Sequence, residues 1–226
     1  DTYHGGGMYP TGQWRAGEII VDTAHVPIKW KAEGPNLVRF NVGLYERFTA
    51  EQLPARGASG QALDVVWAGE VALEPFEWPR LPTGSSPAAI FEESIELASL
   101  ELSQPAVRAG EVVTVTLNWR SLDSINEDYT GFVHLVDPAG KDVAQDDHAP
   151  LDGRYPTRLW SPETVISDPY RLELPDNLEA GTYQLWGGLY RPESGQRLAA
   201  VSPKTGERWQ DDLVHLGAVA IVTRSD

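Results

Sequence analysis

Cysteine is absent from the sequence and methionine occurs once. Without a thiol there is no disulfide framework, no thiolate metal site and no cysteine nucleophile. Basic residues are scarce as well: 18 Lys and Arg stand against 33 Asp and Glu, a formal net charge of −15. Nucleic-acid phosphates are held by clustered Lys and Arg, and here these are scattered, so no nucleic-acid partner is expected and anionic membrane surfaces are disfavoured. No apolar run approaches the roughly 18 residues of a membrane span, and no basic-then-apolar leader precedes the first residue. That first residue is Asp1 rather than Met, so the sequence is expected to be a processed piece of something longer. Also missing are an HExxH frame, a GxSxG elbow, a glycine-rich phosphate loop and the kinase motifs.

What is present is a globular composition, with 41% hydrophobic and 23% charged residues over a length of 226. That length is about twice the roughly 100 residues of an immunoglobulin-sized unit, and the sequence repeats itself. YPTGQWRAGEIIVD from Tyr9 to Asp22 lies over YPTRLWSPETVISD from Tyr155 to Asp168 without a gap. Further on, Val42–Tyr45 meets Gly187–Tyr190, Leu53 meets Leu198, and WAGEVAL at Trp67–Leu73 meets HLGAVAI at His215–Ile221.

Both copies read as strands. In EVVTVTLNW, Val113, Val115, Leu117 and Trp119 share one face and Thr114, Thr116 and Asn118 the other, the mark of a half-buried strand. TGFVHLV at Thr130–Val136 follows, then the turn sequence DPAGK at Asp137–Lys141. Tyr170, Leu172 and Leu174 alternate, as do the residues of TYQLWGGLY, and LVHLGAVAIV closes the run. With Leu97–Leu102 this makes about seven short strands, as in an immunoglobulin-like or fibronectin-like sandwich. Leu178, Gly181 and Tyr183 have the spacing of a tyrosine corner, whose hydroxyl bonds nearby backbone; Val38 falls where Tyr183 does, so the first copy has none.

The expected fold is therefore all-β: two tandem immunoglobulin/fibronectin-like β-sandwich repeats, the first lacking its opening strands. Residues 1–80 form the first, N-terminally incomplete repeat, 81–94 a Pro/Gly/Ser-rich linker, and 95–226 the second, complete repeat. Strands at Glu18–Ile28, Leu37–Tyr45 and Leu63–Leu73 are expected in the first repeat. Their apolar face would lie open, so an upstream segment of the same precursor or a neighbouring chain is expected to complete it.

Candidate chemistry is sparse. His4, His25, His134, His148 and His215 form no close pair of metal ligands, and His134 and His215 read as ordinary strand residues. QDDHAPLDG at Gln145–Gly153 reads as a solvated acidic loop; Asp146, Asp147 and Asp152 could hold a hard cation through carboxylate oxygens, although the EF-hand spacing is absent. Facing carboxylates would suit glycoside hydrolysis, but only Asp1 stands in the region of the first copy corresponding to Asp146 and Asp147. Gly5–Gly7 reads as a flexible turn. Eight tryptophans suggest stacking on sugars. The repeated Trp14 and Trp160, with Tyr9 and Tyr155 of the same YPTxxW loops, are the candidate ligand-binding residues; the competing reading is that these indoles plug the open end of a sandwich. Trp119 and Trp186 read as buried between sheets.

GRYPTRLWSPETVISDPYRLELPDNLEAGTYQLWGGLYRPESGQRL resembles a β-sandwich domain attached C-terminally to bacterial multi-spanning membrane glycosyltransferases, similar to dolichyl-phosphate-mannose protein mannosyltransferases of filamentous green bacteria. The likeness covers most of the second copy and part of the first, where ERFTAEQL replaces the PxxGxRL turn and KWKAEGPNLVRF the tyrosine corner. It implies an extracytoplasmic domain without catalytic residues of its own. The expectation is thus a non-catalytic accessory or interaction module of a larger membrane or surface protein, with no cofactor. A carbohydrate-binding module with glycans as partners, or a structural subunit of a surface array or filament, are the alternatives.

Overall fold

The computed structural model describes residues 9–29 and 32–222; Asp1, His4 and Gly5–Gly7, on which expectations were placed, lie outside them. The chain forms two units, Asp1–Glu33 and Gly34–Asp226. In the first, a 3-10 turn spans Thr11–Gln13. The strand expected at Glu18–Ile28 is not formed. Its counterpart in the second copy is an edge strand that pairs with one neighbour only, whereas among the described residues Glu18–Ile28 pairs with no strand. Without a ladder to satisfy its backbone, an alternating sequence does not make a strand.

The second unit opens with β1 (Asn36–Val42), β2 (Ala55–Arg56), β3 (Ala62–Leu63) and β4 (Val66–Leu73). It continues with β5 (Ala89–Phe91), β6 (Ile95–Leu102), β7 (Ala106–Arg108), β8 (Val112–Ser121) and β9 (Thr130–Val136). β10 (Asp142–His148), β11 (Val165–Glu173), β12 (Gly181–Tyr190), β13 (Ala200–Val201) and β14 (Val214–Val222) complete it. The strands from β5 onward build two five-stranded sheets, ordered β10-β9-β12-β14-β7 and β11-β8-β6-β5-β13. These pack as a sandwich. The sandwich has ten strands among the described residues against the seven or so expected, and β5 lies inside 81–94, the stretch expected to be linker throughout. Ser94 belongs to the turn between β5 and β6, where its N–H donates to the Phe91 carbonyl at 3.0 Å and Glu92 and Glu93 adopt φ of 43° and 61°.

Alternation places the core. Val113, Val115, Leu117 and Trp119 of β8 are buried, and Trp119 meets Phe91 edge-on at 5.7 Å between ring centres. The tyrosine corner forms: Tyr183 donates its hydroxyl to the Glu179 carbonyl at 3.1 Å. The DPAGK turn closes as expected, with Asp137 N–H donating to the Lys141 carbonyl at 2.9 Å. Trp186 departs from its expected place, lying half-buried on the outer face of its sheet, because the alternation of β12 gives Tyr183, Leu185 and Gly187 the inner face and Trp186 the outer one.

The hairpin β1–β4 is laid out on the plan of β12–β14. Asn36 pairs with Leu73, Val38 with Val71, Phe40 with Gly69 and Asn41 with Trp67. In the second copy Gly181 pairs with Ile221, Tyr183 with Val219, Leu185 with Gly217 and Trp186 with His215. Both ladders break after the same pair, Phe40/Asn41 and Leu185/Trp186, and the glycine opposite takes φ of 146° at Gly69 and 129° at Gly217, which glycine adopts without steric cost. The loop beyond repeats too, since Tyr45 bridges Gln52 as Tyr190 bridges Arg197. What differs is cover. Among the described residues every buried one lies at Ala89 or later.

Candidate functional site

Three places concentrate chemistry. The first is the pair of YPTxxW loops, whose internal bonds are the same in both copies. Pro10 and Pro156 fix the entry to the 3-10 turns. The Trp14 indole N–H donates to the Tyr9 carbonyl at 3.3 Å, and that of Trp160 to the Tyr155 carbonyl at 3.0 Å. Tyr9 donates its hydroxyl to the Gln13 carbonyl at 3.3 Å, and Tyr155 to the Leu159 carbonyl at 3.2 Å. Tyr155 and Trp160 are 0% and 2% exposed and belong to the sandwich core, so neither has a ring face to offer a sugar. For these two the plug reading describes the structure and the ligand platform does not. Tyr9 and Trp14 remain half-buried, with the Tyr9 hydroxyl bonded to Glu18 at 2.7 Å.

The second place lies between the edge strands β10 and β11. His148 Nδ1 is 3.1 Å from Asp146 Oδ1, and its Nε2 is 3.2 Å from Asp168 Oδ1. Asp168 is fully buried, and it accepts the Leu151 N–H at 2.9 Å and the Tyr170 hydroxyl at 2.8 Å. Asp146 Oδ2 accepts the Arg171 N–H at 2.6 Å. The imidazole stacks on Tyr170 at 4.2 Å, whose hydroxyl in turn lies so close over Gly131 that no Cβ fits there. Burial opposes the charge on His148, but hydrogen bonds and charge from Asp168 and Asp146 outweigh it and raise its pKa to about 9. Burial together with the Asp168 carboxylate pushes the Tyr170 phenol well above its usual value.

An imidazolium locked by two carboxylates cannot accept a proton near neutrality, so this cluster is poorly suited to general-base work. It ties the edge of one sheet to the edge of the other. The reading of Gln145–Gly153 as a solvated loop is corrected accordingly, since β10 runs through Asp146, Asp147 and His148. Asp147 Oδ1 lies 3.2 Å from His134 Nε2, and Asp152 stands exposed in the following turn at φ 56°. Among the described residues no group of three acidic, His or Cys side chains is placed to hold a metal. Asp146 is moreover committed to His148 and to backbone.

The third place is the hairpin β1–β4. Its outer-face residue Glu70 pairs with Arg39 at 3.6 Å and with Arg158 at 2.6 Å, and Arg158 also pairs with Asp128. Across the hairpin's other face lie Val38, Phe40, Val42, Val66 and Val71, at the positions that Tyr183, Leu185, Gly187, Val214 and Val219 hold in the sandwich core. Val42, Val66 and Val71 are exposed. All the large exposed apolar side chains among the described residues, except Val112 and Val222, lie between Ile19 and Phe76.

One further arrangement escaped the sequence reading. His134, Trp186 and His215 face each other across β9, β12 and β14, with the Trp186 and His215 rings 4.9 Å apart. Plain alternation along β12 places Trp186 outward, since Tyr183, Leu185 and Gly187 take the buried face.

No helix among the described residues is long and apolar enough to cross a membrane. No protein-family model matches the chain and no curated protein matches it. Among solved structures, the chain is similar to the C-terminal domain of Wzt, with a TM-score of 0.39 and 11% identity over 63% of this chain and 83% of that one. It is also similar to the CARDB domain of a Pyrococcus furiosus protein in complex with di-metal ions, with a TM-score of 0.31 and 10% identity over 64% of this chain and 95% of that one.

Proposed function

We propose that the chain is a non-catalytic, extracytoplasmic interaction module of a larger membrane or surface protein, of the kind that the resemblance of the second copy to glycosyltransferase-linked sandwiches implies. The observation that carries this reading is the hairpin β1–β4. It reproduces the register of a core ladder and leaves Val42, Val66 and Val71 of its apolar face exposed beside the half-buried Val38 and Phe40, and contiguous exposed apolar surface marks an interaction site. The sandwich serves as the base, its ionisable groups at β10–β11 being spent on internal bonds. Hydrolase and glycosyltransferase assays on the purified chain are expected to show no turnover above buffer; turnover that is lost on substituting a residue of this chain overturns the reading.

A second reading draws on the row His134–Trp186–His215, an indole on a sheet face flanked by hydrogen-bonding side chains, which suits a sugar ring. Tryptophan fluorescence titrated with polysaccharides decides it. Saturable quenching that disappears in Trp186→Ala supports a carbohydrate-binding module, and a flat titration removes it.

A further inference from the structure

Resting on the reading of the chain as an interaction module, we infer that the free edge of β1 is a strand-acceptor site. Its occupant is a polypeptide segment running antiparallel to β1, apolar at every second residue, that takes the place β9 holds beside β12.

In the second copy β12 is paired on both sides, by β14 and by β9. In the first copy β1 is paired by β4 alone among the described residues, so its other edge presents unused N–H and C=O groups. The β9–β12 ladder supplies the register. Gln184 faces Val136, Leu185 faces Leu135, Gly187 faces Val133 and Tyr190 faces Thr130. Carried onto β1, an incoming strand begins opposite Tyr45 and ends opposite Arg39, with its residues beside Phe40, Val42 and Leu44 turned to the apolar side.

A coupled change of size shows that this side is built as a core. In the second copy a Cβ on Gly187 would come within 2.7 Å of Leu216 Cδ1, so a small residue on β12 makes room for a large one on β14. In the first copy the sizes are exchanged, with Val42 at the place of Gly187 and Ala68 at that of Leu216. Total volume is conserved, as a packed interior requires; nothing of the kind is needed on a surface facing water. A Cβ at Gly187 would also meet the Phe132 carbonyl oxygen at 2.8 Å, so a strand beside Val42 stands slightly further out than β9 stands from β12. A second copy of the chain is the weaker occupant, because each copy carries a net charge of −15 and self-repulsion opposes edge-to-edge pairing of two such molecules.

The test uses the full chain and, as probe, a synthetic peptide of residues 129–137 from this sequence, YTGFVHLVD, which is β9 with one flanking residue on each side. Backbone amide exchange of residues 36–45 is followed by mass spectrometry with and without peptide. The expected result is exchange slowed about tenfold or more over this segment, as strand addition protects amides that alternate away from β4, with β12 unchanged. Two peptides N-methylated at alternate positions, one at 131, 133 and 135 and the other at 132, 134 and 136, separate strand pairing from mere apolar contact. One series must lose the protection and the other keep it.

Equal protection by both methylated peptides, or by neither, overturns strand addition while leaving the interaction-module reading intact. So does the absence of protection at millimolar peptide. Protection of residues 36–45 that rises with protein concentration without peptide, together with dimer in sedimentation, assigns the edge to a second copy and overturns the occupant proposed here. Failure of the broader reading shows separately, as turnover in the assays above.

Discussion

Val71 and Val219 hold the same place in two ladders, opposite Val38 and Tyr183, yet Val71 is 48% exposed and Val219 is 0%. Identical side chains at equivalent positions should therefore respond differently to the same change. Val219→Ser places a hydroxyl in a closed core and is expected to cost about 2–3 kcal/mol. Val71→Ser is expected to stay within about 0.5 kcal/mol and to raise solubility. Urea unfolding of the two variants checks both; a Val71→Ser loss as large as that of Val219→Ser would mean the hairpin face is already covered in solution.

The two YPTxxW tryptophans give a parallel contrast. Trp160→Ala empties a core site and is expected to cost about 3–5 kcal/mol, whereas Trp14→Ala, at a half-buried position, is expected to cost about 1 kcal/mol or less. Thermal melts report the difference. Comparable losses would show that Trp14 also closes a packed core.

His148 gives stability a dependence on pH. Its folded pKa, about 9, lies above the 6.5 of an ordinary histidine. The charged imidazole thus contributes its full stabilisation below pH 6.5, and the contribution is lost as pH rises from there through about 9. Denaturation midpoints should fall across that window. Asp168→Asn removes one counter-charge and should flatten the profile, while His148→Ala, which strands two carboxylates beside each other, is expected to cost about 3 kcal/mol at pH 6. A profile of unchanged slope in Asp168→Asn would assign the dependence to other groups.

Much of this was legible in the residues, and the failures have physical causes. β8, β9, β12 and β14 announce themselves by period two, because each has one face on the core. β10 is legible only in part: the DPAGK turn points to a hairpin, but an edge strand at the margin of a sheet needs little apolar content, and its second half, from Gln145 on, reads as an acidic loop. Glu18–Ile28 is the opposite case: the alternation is there, but a strand is a property of a pair, and among the described residues this segment pairs with no other. The His148 cluster had a signal that went unread. Ile166, Asp168, Tyr170 and Leu172 alternate as one buried row of β11, and a carboxylate in an apolar row demands a hydrogen-bonding partner; what the sequence could not say is that the partner lies twenty residues back, on the other sheet.

The sandwich itself should be separable from what precedes it. Among the described residues all the buried ones lie from Ala89 onward, with Trp78 packing on that core beside Tyr155 at 5.6 Å. A truncated chain of residues 78–222 is expected to fold and to melt within a few degrees of the full chain, as loss of about 1 kcal/mol shifts a domain of this size by roughly 2–8 °C. Loss of near-ultraviolet circular dichroism in the truncated chain would show that the hairpin, through Arg158 and Glu70, is needed to hold the sandwich closed.

The strand order β10-β9-β12-β14-β7 sets a timetable for biosynthesis. β7 runs parallel to β14, with Ala106 opposite Ala220 and Val107 opposite Ile221, so β7 is made early and waits for almost the whole sandwich to be translated before it has a neighbour. β14 enters last, between β12 and β7, and until it arrives both flanking strands present bare edges. Pairings so distant along the chain close slowly, and exposed edges on a half-made domain invite wrong partners. A nascent sandwich lacking β14 would thus need shielding during synthesis, and any mutation that delays the seating of Gly217 at its bulge prolongs that vulnerable interval.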